Sequence, residues 1–294
     1  MELSLRFRIF AKNHDYGAGR AMSIGDHGEI LAIANQKGGV GKTTTAVNLA
    51  TGFAAVGKKV LLIDLDPQGN ASTGLGVEYA QRAPNTYDML VNEEPLATVE
   101  KSTKIPGLSL LPSVVDLSAI DVELATAEGR EYRLRKQLDS CAQHYDYILI
   151  DCPPSLGLAT INALAAATAV LIPLQCEFYA LEGLAHLLHT IDLVKRSMNP
   201  QLEIKGILLT MYDRRSRLTL DVEQDVRSYM GDKIFSTVIP RNIRLSEAPS
   251  HGKPAIIYDF RCPGSQAYLH LAREILYGRG ADAPAVPTKK AVYG

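Results

Sequence analysis

An apolar run over residues 30–35 leads directly into Gln36-Lys37-Gly38-Gly39-Val40-Gly41-Lys42-Thr43-Thr44, and a helix-patterned stretch over 43–56 follows. This order limits the fold more than any other feature of the chain. Three glycines in four positions let the backbone curl with its N–H groups turned inward, where side chains would block an anion. A helix starting at the loop's end adds its positive N-terminal field. In such a cradle Lys42 reaches the β- and γ-phosphates of a nucleotide, and the Thr43 hydroxyl ligates Mg²⁺. The strict glycine-loop pattern would have Gly where this chain has Gln36. The alternative, a glycine-rich turn that merely joins strand to helix, leaves the Lys-Thr pair unexplained.

Further apolar runs recur at 59–65, 108–112, 147–151, 169–174, 204–211 and 234–239, with a second helical pattern over 181–194. Several are apolar at consecutive positions, as expected of parallel strands covered on both faces. The alternation predicts an α/β fold, a doubly wound and mostly parallel sheet flanked by helices, with ligands at the carboxyl ends of its strands. A hydrophobic fraction of 46% against 21% charged excludes disorder over most of the 294 residues. Residues 1–28 read as a loose leader, with Met22 a candidate start; 29–277 read as the folded domain and 278–294 as a disordered tail. No apolar run approaches the roughly 18 residues of a membrane span.

Acidic residues close two of these strands. Asp64 and Asp66 are two apart and, in an extended strand, share a face. One would hold the water shell of Mg²⁺, the other would orient or deprotonate an attacking water. The plainer alternative is a pair of carboxylates capping a turn before Pro67. Residues 147–151 form an apolar strand ending in Asp151, which suits a magnesium-holding carboxylate on a rigid buried element. Cys152 reads as a packed small residue, with no His near it in sequence. The four cysteines contain no CxxC pair, which argues against a zinc site and fits a reducing cytosol.

Lys37 has no role in an ordinary phosphate loop. K-G-G-V-G-K-T resembles the deviant Walker A motif of the ParA/MinD/nitrogenase-iron-protein superfamily, in which the extra lysine reaches the partner's phosphates across a nucleotide sandwich dimer. LLIDLDPQGNASTGLG (61–76), YILIDCPPSLGLATINAL (147–164), QCEFYALEGL (175–184) and VIPRNIRLSEAPSHGKP (238–254) narrow the resemblance to the ParA/Soj branch, over about residues 29–277. The resemblance implies a DNA-segregation ATPase using ATP and Mg²⁺, a homodimer when ATP is bound. It implies non-specific binding to nucleoid DNA in the cytoplasm, and release when a ParB-like centromere-binding protein stimulates hydrolysis. It places nucleotide contacts at Lys37, Gly38, Gly39, Val40, Gly41, Lys42, Thr43 and Thr44, and an adenine pocket at Pro240 and Asn242. It gives hydrolytic roles to Lys37, Lys42 and Asp66, magnesium to Thr43, Asp64 and Asp151, and DNA contact to Arg215 and Arg244.

The net charge of −1 excludes a globally basic DNA binder, so contact must be local. Residues 195–262 hold twelve basic and eight acidic residues, with Arg214, Arg215 and Arg217 in one cluster and Arg241, Arg244 and Lys253 in another. Such arginines serve as phosphate contacts or as surface ion-pair partners, and the pattern alone does not choose. Three rival functions are weaker. A MinD-like membrane ATPase needs a C-terminal amphipathic helix, which the two-proline tail does not offer. An iron–sulfur carrier needs converging cysteines. A metabolic synthetase needs a second-substrate pocket, and no motif marks one.

Overall fold

Residues 28–278 are described by the computed structural model. The expected leader and tail therefore lie outside the described residues, but for Gly28 and Gly278. Seven strands form one sheet: β1 (Glu29–Ile33), β2 (Val60–Asp64), β3 (Lys101–Ser102), β4 (Leu108–Leu111), β5 (Tyr147–Asp151), β6 (Ala169–Gln175) and β7 (Glu203–Thr210). Their order is β3-β4-β2-β5-β1-β6-β7. Every pairing is parallel except the β3–β4 edge.

Consecutive apolar residues in the central strands fill two separate cores, one on each face. Leu61, Ile63, Ile148 and Ile150 point to one side, where α2 (Leu158–Ala166), α3 (Ala180–Ser197) and α4 (Arg217–Met230) pack. Val60, Leu62, Tyr147 and Leu149 point to the other, against α1 (Lys42–Ala55) and α5 (Pro263–Tyr277). Period-two alternation thus survives inside runs that look uniformly apolar, because both faces are dry. Thr45 on α1 meets the Tyr268 hydroxyl of α5 at 3.1 Å, which pins the helix that follows the glycine loop.

Two expectations change. Residues 234–239 are not a strand: only isolated bridges, Ile207 to Ile234 and Tyr212 to Pro240, tie them beside β7. The Ser236 and Thr237 N–H groups donate to the Glu274 carboxylate of α5 at 2.7 and 2.9 Å instead of extending a ladder. Likewise β2 stops at Asp64, so Asp64 and Asp66 do not share a strand face. The Asp64 side chain captures the Asp66 N–H at 3.2 Å, and Pro67 offers no N–H to continue.

Candidate functional site

The carboxyl ends of β1, β2 and β5 carry the glycine loop and the acidic residues Asp64, Asp66 and Asp151. Between β1 and α1 the loop turns through Gly39 (φ 75°) and Gly41 (φ 88°), both in the left-handed region that favours glycine. A Cβ on Gly39 would meet nothing within 4 Å, so the loop curls around open space. α1 then begins without a side-chain cap, its first N–H groups left for a ligand. The loop is braced from two sides, by β6 and β7. Asn35, which the sequence motif omits, accepts from Lys37 N–H at 2.9 Å and donates to Pro173 O on β6 at 2.7 Å. Thr210 at the end of β7 donates to Val40 O at 2.8 Å.

The two lysines of the loop differ sharply. Lys42 is buried, and its Nζ donates to Lys37 O at 3.0 Å. Burial pushes its ammonium below the ordinary lysine value, against the opposing pull of Asp151 and Asp66. Lys37 sits half-exposed at the mouth and forms an ion pair with Glu177, 140 residues away.

Three carboxylates face this cradle with different freedom. Asp151 is fully buried, and neither of its oxygens completes a hydrogen bond. Burial and the neighbouring Asp64 raise its pKa well above the ordinary value, while the Thr43 hydroxyl and Lys42 favour its charge. A buried carboxylate with unused oxygens beside a hydroxyl and an ammonium fits a divalent cation held through water. Asp64 is spent locally: Oδ2 accepts from Ser72 N–H (2.8 Å) and Ser72 Oγ (2.7 Å), and Oδ1 accepts from Asp66 N–H. Burial still lifts its pKa to about 6, with the Ser72 hydrogen bonds pulling it down and Asp66 pushing it up. Asp66 is buried and accepts from Gln68 N–H at 3.0 Å, which shapes the Pro67–Gly69 turn. Among the described residues no group of three or more His, Cys, Asp or Glu is arranged to hold a metal unaided. A cation here therefore needs phosphate or water to complete its shell.

Behind the carboxylates lies a brace that no motif announces. Ser72 Oγ, already bonded to Asp64, accepts from Ser113 N–H at 3.0 Å. The Ser113 carbonyl in turn accepts from Arg82 Nη1 at 3.2 Å, and Arg82 also donates to Val77 O and to Thr73 Oγ1. A buried arginine amid turn residues is the only sequence signal, and sequence does not reveal burial. Arg82→Ala should lower stability by about 3 kcal/mol, since three acceptors lose their donor. Thermal unfolding checks this, with a fall in melting temperature of roughly 6–12 °C expected.

Pro240 and Asn242 reach the same end of the sheet. Ile239 N–H donates to Leu209 O at 2.8 Å, and Arg241 N–H donates to Tyr212 O at 3.4 Å. Asn242 caps the short helix Ile243–Glu247 by accepting from Arg244 N–H. The cavity that adjoins Thr43 and Thr44, about 230 Å³, is lined by Val47, Asn70, Thr73, Leu245, Pro249 and Lys253 and does not include Pro240 or Asn242. Met211, between β7 and the basic cluster, adopts φ 49°, a conformation rare for a residue with a Cβ.

Arg215 and Arg244 are both exposed and both partnered. Arg215 makes a two-pronged contact with Asp213, 3.0 Å on each prong, which depresses the Asp213 pKa to about 2. Arg244 bonds Glu247 at 2.9 Å and lies 3.5 Å from Asp259. Arg241, Arg244 and Arg261 line one groove; Arg261 belongs to neither cluster singled out in the sequence, because the fold, not the chain order, sets it there. Cys152, Cys176 and Cys262 are buried and Cys141 is half-buried, all four as free thiols. No helix among the described residues is long and apolar enough to cross a membrane.

Known proteins share both the sequence and the shape. A family profile described as an AAA domain matches residues 28–204. The chromosome partitioning protein ParA of Caulobacter vibrioides is 57% identical over 249 residues, covering 84% of this chain and 93% of that one. The sporulation initiation inhibitor protein Soj of Bacillus subtilis is 53% identical over 248 residues, covering 84% and 98%. Among solved structures, the cobyrinic acid a,c-diamide synthase of Mycobacterium smegmatis with bound ADP and magnesium superposes with a TM-score of 0.74 at 34% identity, over 88% of this chain and 99% of that one. Shape is thus shared with a metabolic enzyme, whereas sequence identity is far higher to the partitioning proteins.

Proposed function

This chain belongs to the ParA/Soj family of chromosome-partitioning proteins, and on that premise we propose that it is an ATPase whose ATP-bound homodimer holds DNA without reading its sequence. The observation that carries this reading is the contrast between the two loop lysines. Lys42 is sealed inside the cradle with Asp151 and Asp66, as a phosphate-binding group in its own subunit would be. Lys37 stands at the mouth, half-exposed on a carboxylate partner, where an anion from outside the subunit can take that partner's place.

In this reading the loop N–H groups, Lys42 and Thr44 hold the β- and γ-phosphates, and Pro240 and Asn242 border the base. Thr43 and Asp151 hold Mg²⁺, with Asp64 behind them. The bound cation neutralises charge that develops on the phosphates during transfer. Asp66, fixed by its turn, orients the attacking water. Lys37 exchanges Glu177 for the partner subunit's phosphates and so couples ATP to dimer closure. DNA phosphates replace Asp213 and Glu247 as partners of Arg215 and Arg244, and pairing two subunits doubles the contacts. A ParB-like partner at centromere-like sites stimulates turnover, which releases DNA and sets the nucleoid as the site of action.

DNA retention with ATP, with ADP and without nucleotide, at two salt concentrations, tests the proposal. Binding is expected with ATP alone and should weaken as salt rises. Arg244→Glu should weaken DNA binding at least tenfold and flatten the salt dependence by roughly two phosphate contacts, one per subunit, while ATP binding persists. Lys37→Ala should fold and bind ATP but stay monomeric. DNA binding that ignores nucleotide and salt would overturn the reading.

A further inference from the structure

Three residues at the end of β7 touch both the glycine loop and the arginine segments. Thr210 Oγ1 donates to Val40 O at 2.8 Å, which ties the strand end to the loop. Two residues on, Tyr212 is buried and bonded in three directions. Its N–H donates to Ile239 O at 2.9 Å, and its carbonyl accepts from Arg241 N–H at 3.4 Å. Its hydroxyl donates to the Glu223 carboxylate on α4, whose other oxygen accepts from Arg227 Nε at 2.7 Å. Met211, between Thr210 and Tyr212, adopts φ 49°, a conformation that a residue with a Cβ keeps only where its surroundings hold it. Phenylalanine would fill the same space as Tyr212, so what the hydroxyl adds is direction rather than packing.

The arginines lie where these ties lead. The Tyr212–Glu223 contact closes an eleven-residue span that contains Arg214, Arg215 and Arg217. Within it Arg215 N–H donates to Asp213 Oδ1 at 3.0 Å and Ser216 N–H to Asp213 O at 3.1 Å. These inner bonds fold the loop on itself but leave its placement to its two ends. On the other side of Tyr212, Arg241 leads within three residues to Arg244. DNA presents its phosphates at regular spacing, so two arginine segments that contact it together bind best when their relation is set beforehand. We propose that Tyr212 is a positioning residue for DNA, holding Arg215 and Arg244 in one fixed relation through its hydroxyl on Glu223 and its backbone on residues 239–241; the proposal rests on the DNA contact proposed above.

The test is DNA retention by the full chain with a slowly hydrolysed ATP analogue and Mg²⁺, read across a series of salt concentrations. Tyr212→Phe should weaken DNA binding about fivefold or more and make its salt dependence shallower, while analogue affinity stays within about twofold and the circular dichroism is unchanged. Glu223→Ala should do the same, and the Tyr212→Phe/Glu223→Ala double variant should bind no more weakly than the weaker single variant. Glu223→Gln, which keeps an oxygen for the hydroxyl, should recover most of the loss. If the unmodified chain retains DNA with the analogue and Tyr212→Phe matches it in affinity and salt dependence, Tyr212 has no positioning role and the DNA reading stands. The same follows if the two single losses add in the double variant, or if analogue affinity falls as much as DNA affinity. If the unmodified chain retains no DNA with the analogue, the DNA contact and the positioning role both fall.

Discussion

Replacing Lys42 with alanine should reduce ATP turnover by about 10²–10³-fold, the size expected when one preorganised charge is removed from a dry phosphate site. Placement is the reason. Lys42 Nζ is buried and already aimed across the loop at Lys37 O, 3.0 Å away, so a nucleotide meets a cation that needs little reorganisation. The same side chain also opposes Asp151 and Asp66. Its loss therefore leaves a triphosphate, Asp151 and Asp66 with no buried cation from the loop between them. Affinity for ATP and the rate of hydrolysis should fall together. Lys42→Arg keeps the charge but brings a planar fork into a site shaped for a compact ammonium, and should recover only part of the activity. Phosphate release measured beside circular dichroism separates loss of chemistry from loss of fold. Turnover within about threefold of the unmodified chain, in a folded variant, would remove Lys42 from the mechanism.

Asp151→Asn should act in opposite directions on stability and on activity. Without ligand, the Asp151 carboxylate is buried with no completed hydrogen bond, and burial together with Asp64 raises its pKa well above the ordinary carboxylate value. A raised folded-state pKa means that protonation favours the fold. That contribution is complete below the unfolded value near about 4 and is lost as pH rises through the higher folded value. Asp64, lifted to about 6, adds to the same trend between about 4 and 6. The nucleotide-free protein should therefore lose stability from these groups as pH rises from about 4 toward neutrality. Asparagine keeps the shape without the charge, so the variant should gain about 1–3 kcal/mol near neutral pH and lose part of the pH dependence. Melting temperature would rise by roughly 2–12 °C. Magnesium-dependent turnover should fall by about 10²-fold or more, because a neutral amide holds the cation's water shell poorly. A variant that melts lower than the unmodified chain in the absence of ligand would show that Thr43 and Lys42 outweigh the cost of burying the Asp151 charge.

The legible and the hidden parts of this molecule divide along a physical line. The glycine loop could be read because its requirements are local: Gly39 and Gly41 need positive φ within a few residues of a strand end and a helix start. The strands could be read because a dry sheet demands apolar residues on both faces, and six of the seven expected runs are strands. The seventh, 234–239, has the same apolar character but lost its ladder when Glu274 took two of its N–H groups. The D-x-D spacing placed two acids near each other yet misjudged how, since the Asp64 side chain ends the strand that would have aligned them.

Sequence alone determined six of the seven strands, the glycine loop and the chemical identity of the groups around it, because backbone conformation and hydrophobic period are set by near neighbours. Tertiary structure decided the state of each group. It left Asp151 without a completed hydrogen bond while Ser72 occupied Asp64, it set Lys37 on Glu177, and it built the Arg82–Ser113–Ser72 brace. It also gave Arg215 and Arg244 their carboxylate partners at the surface. Charge state, burial and pairing are properties of what surrounds a side chain, and most of those surroundings come from residues distant in sequence, brought near only by folding.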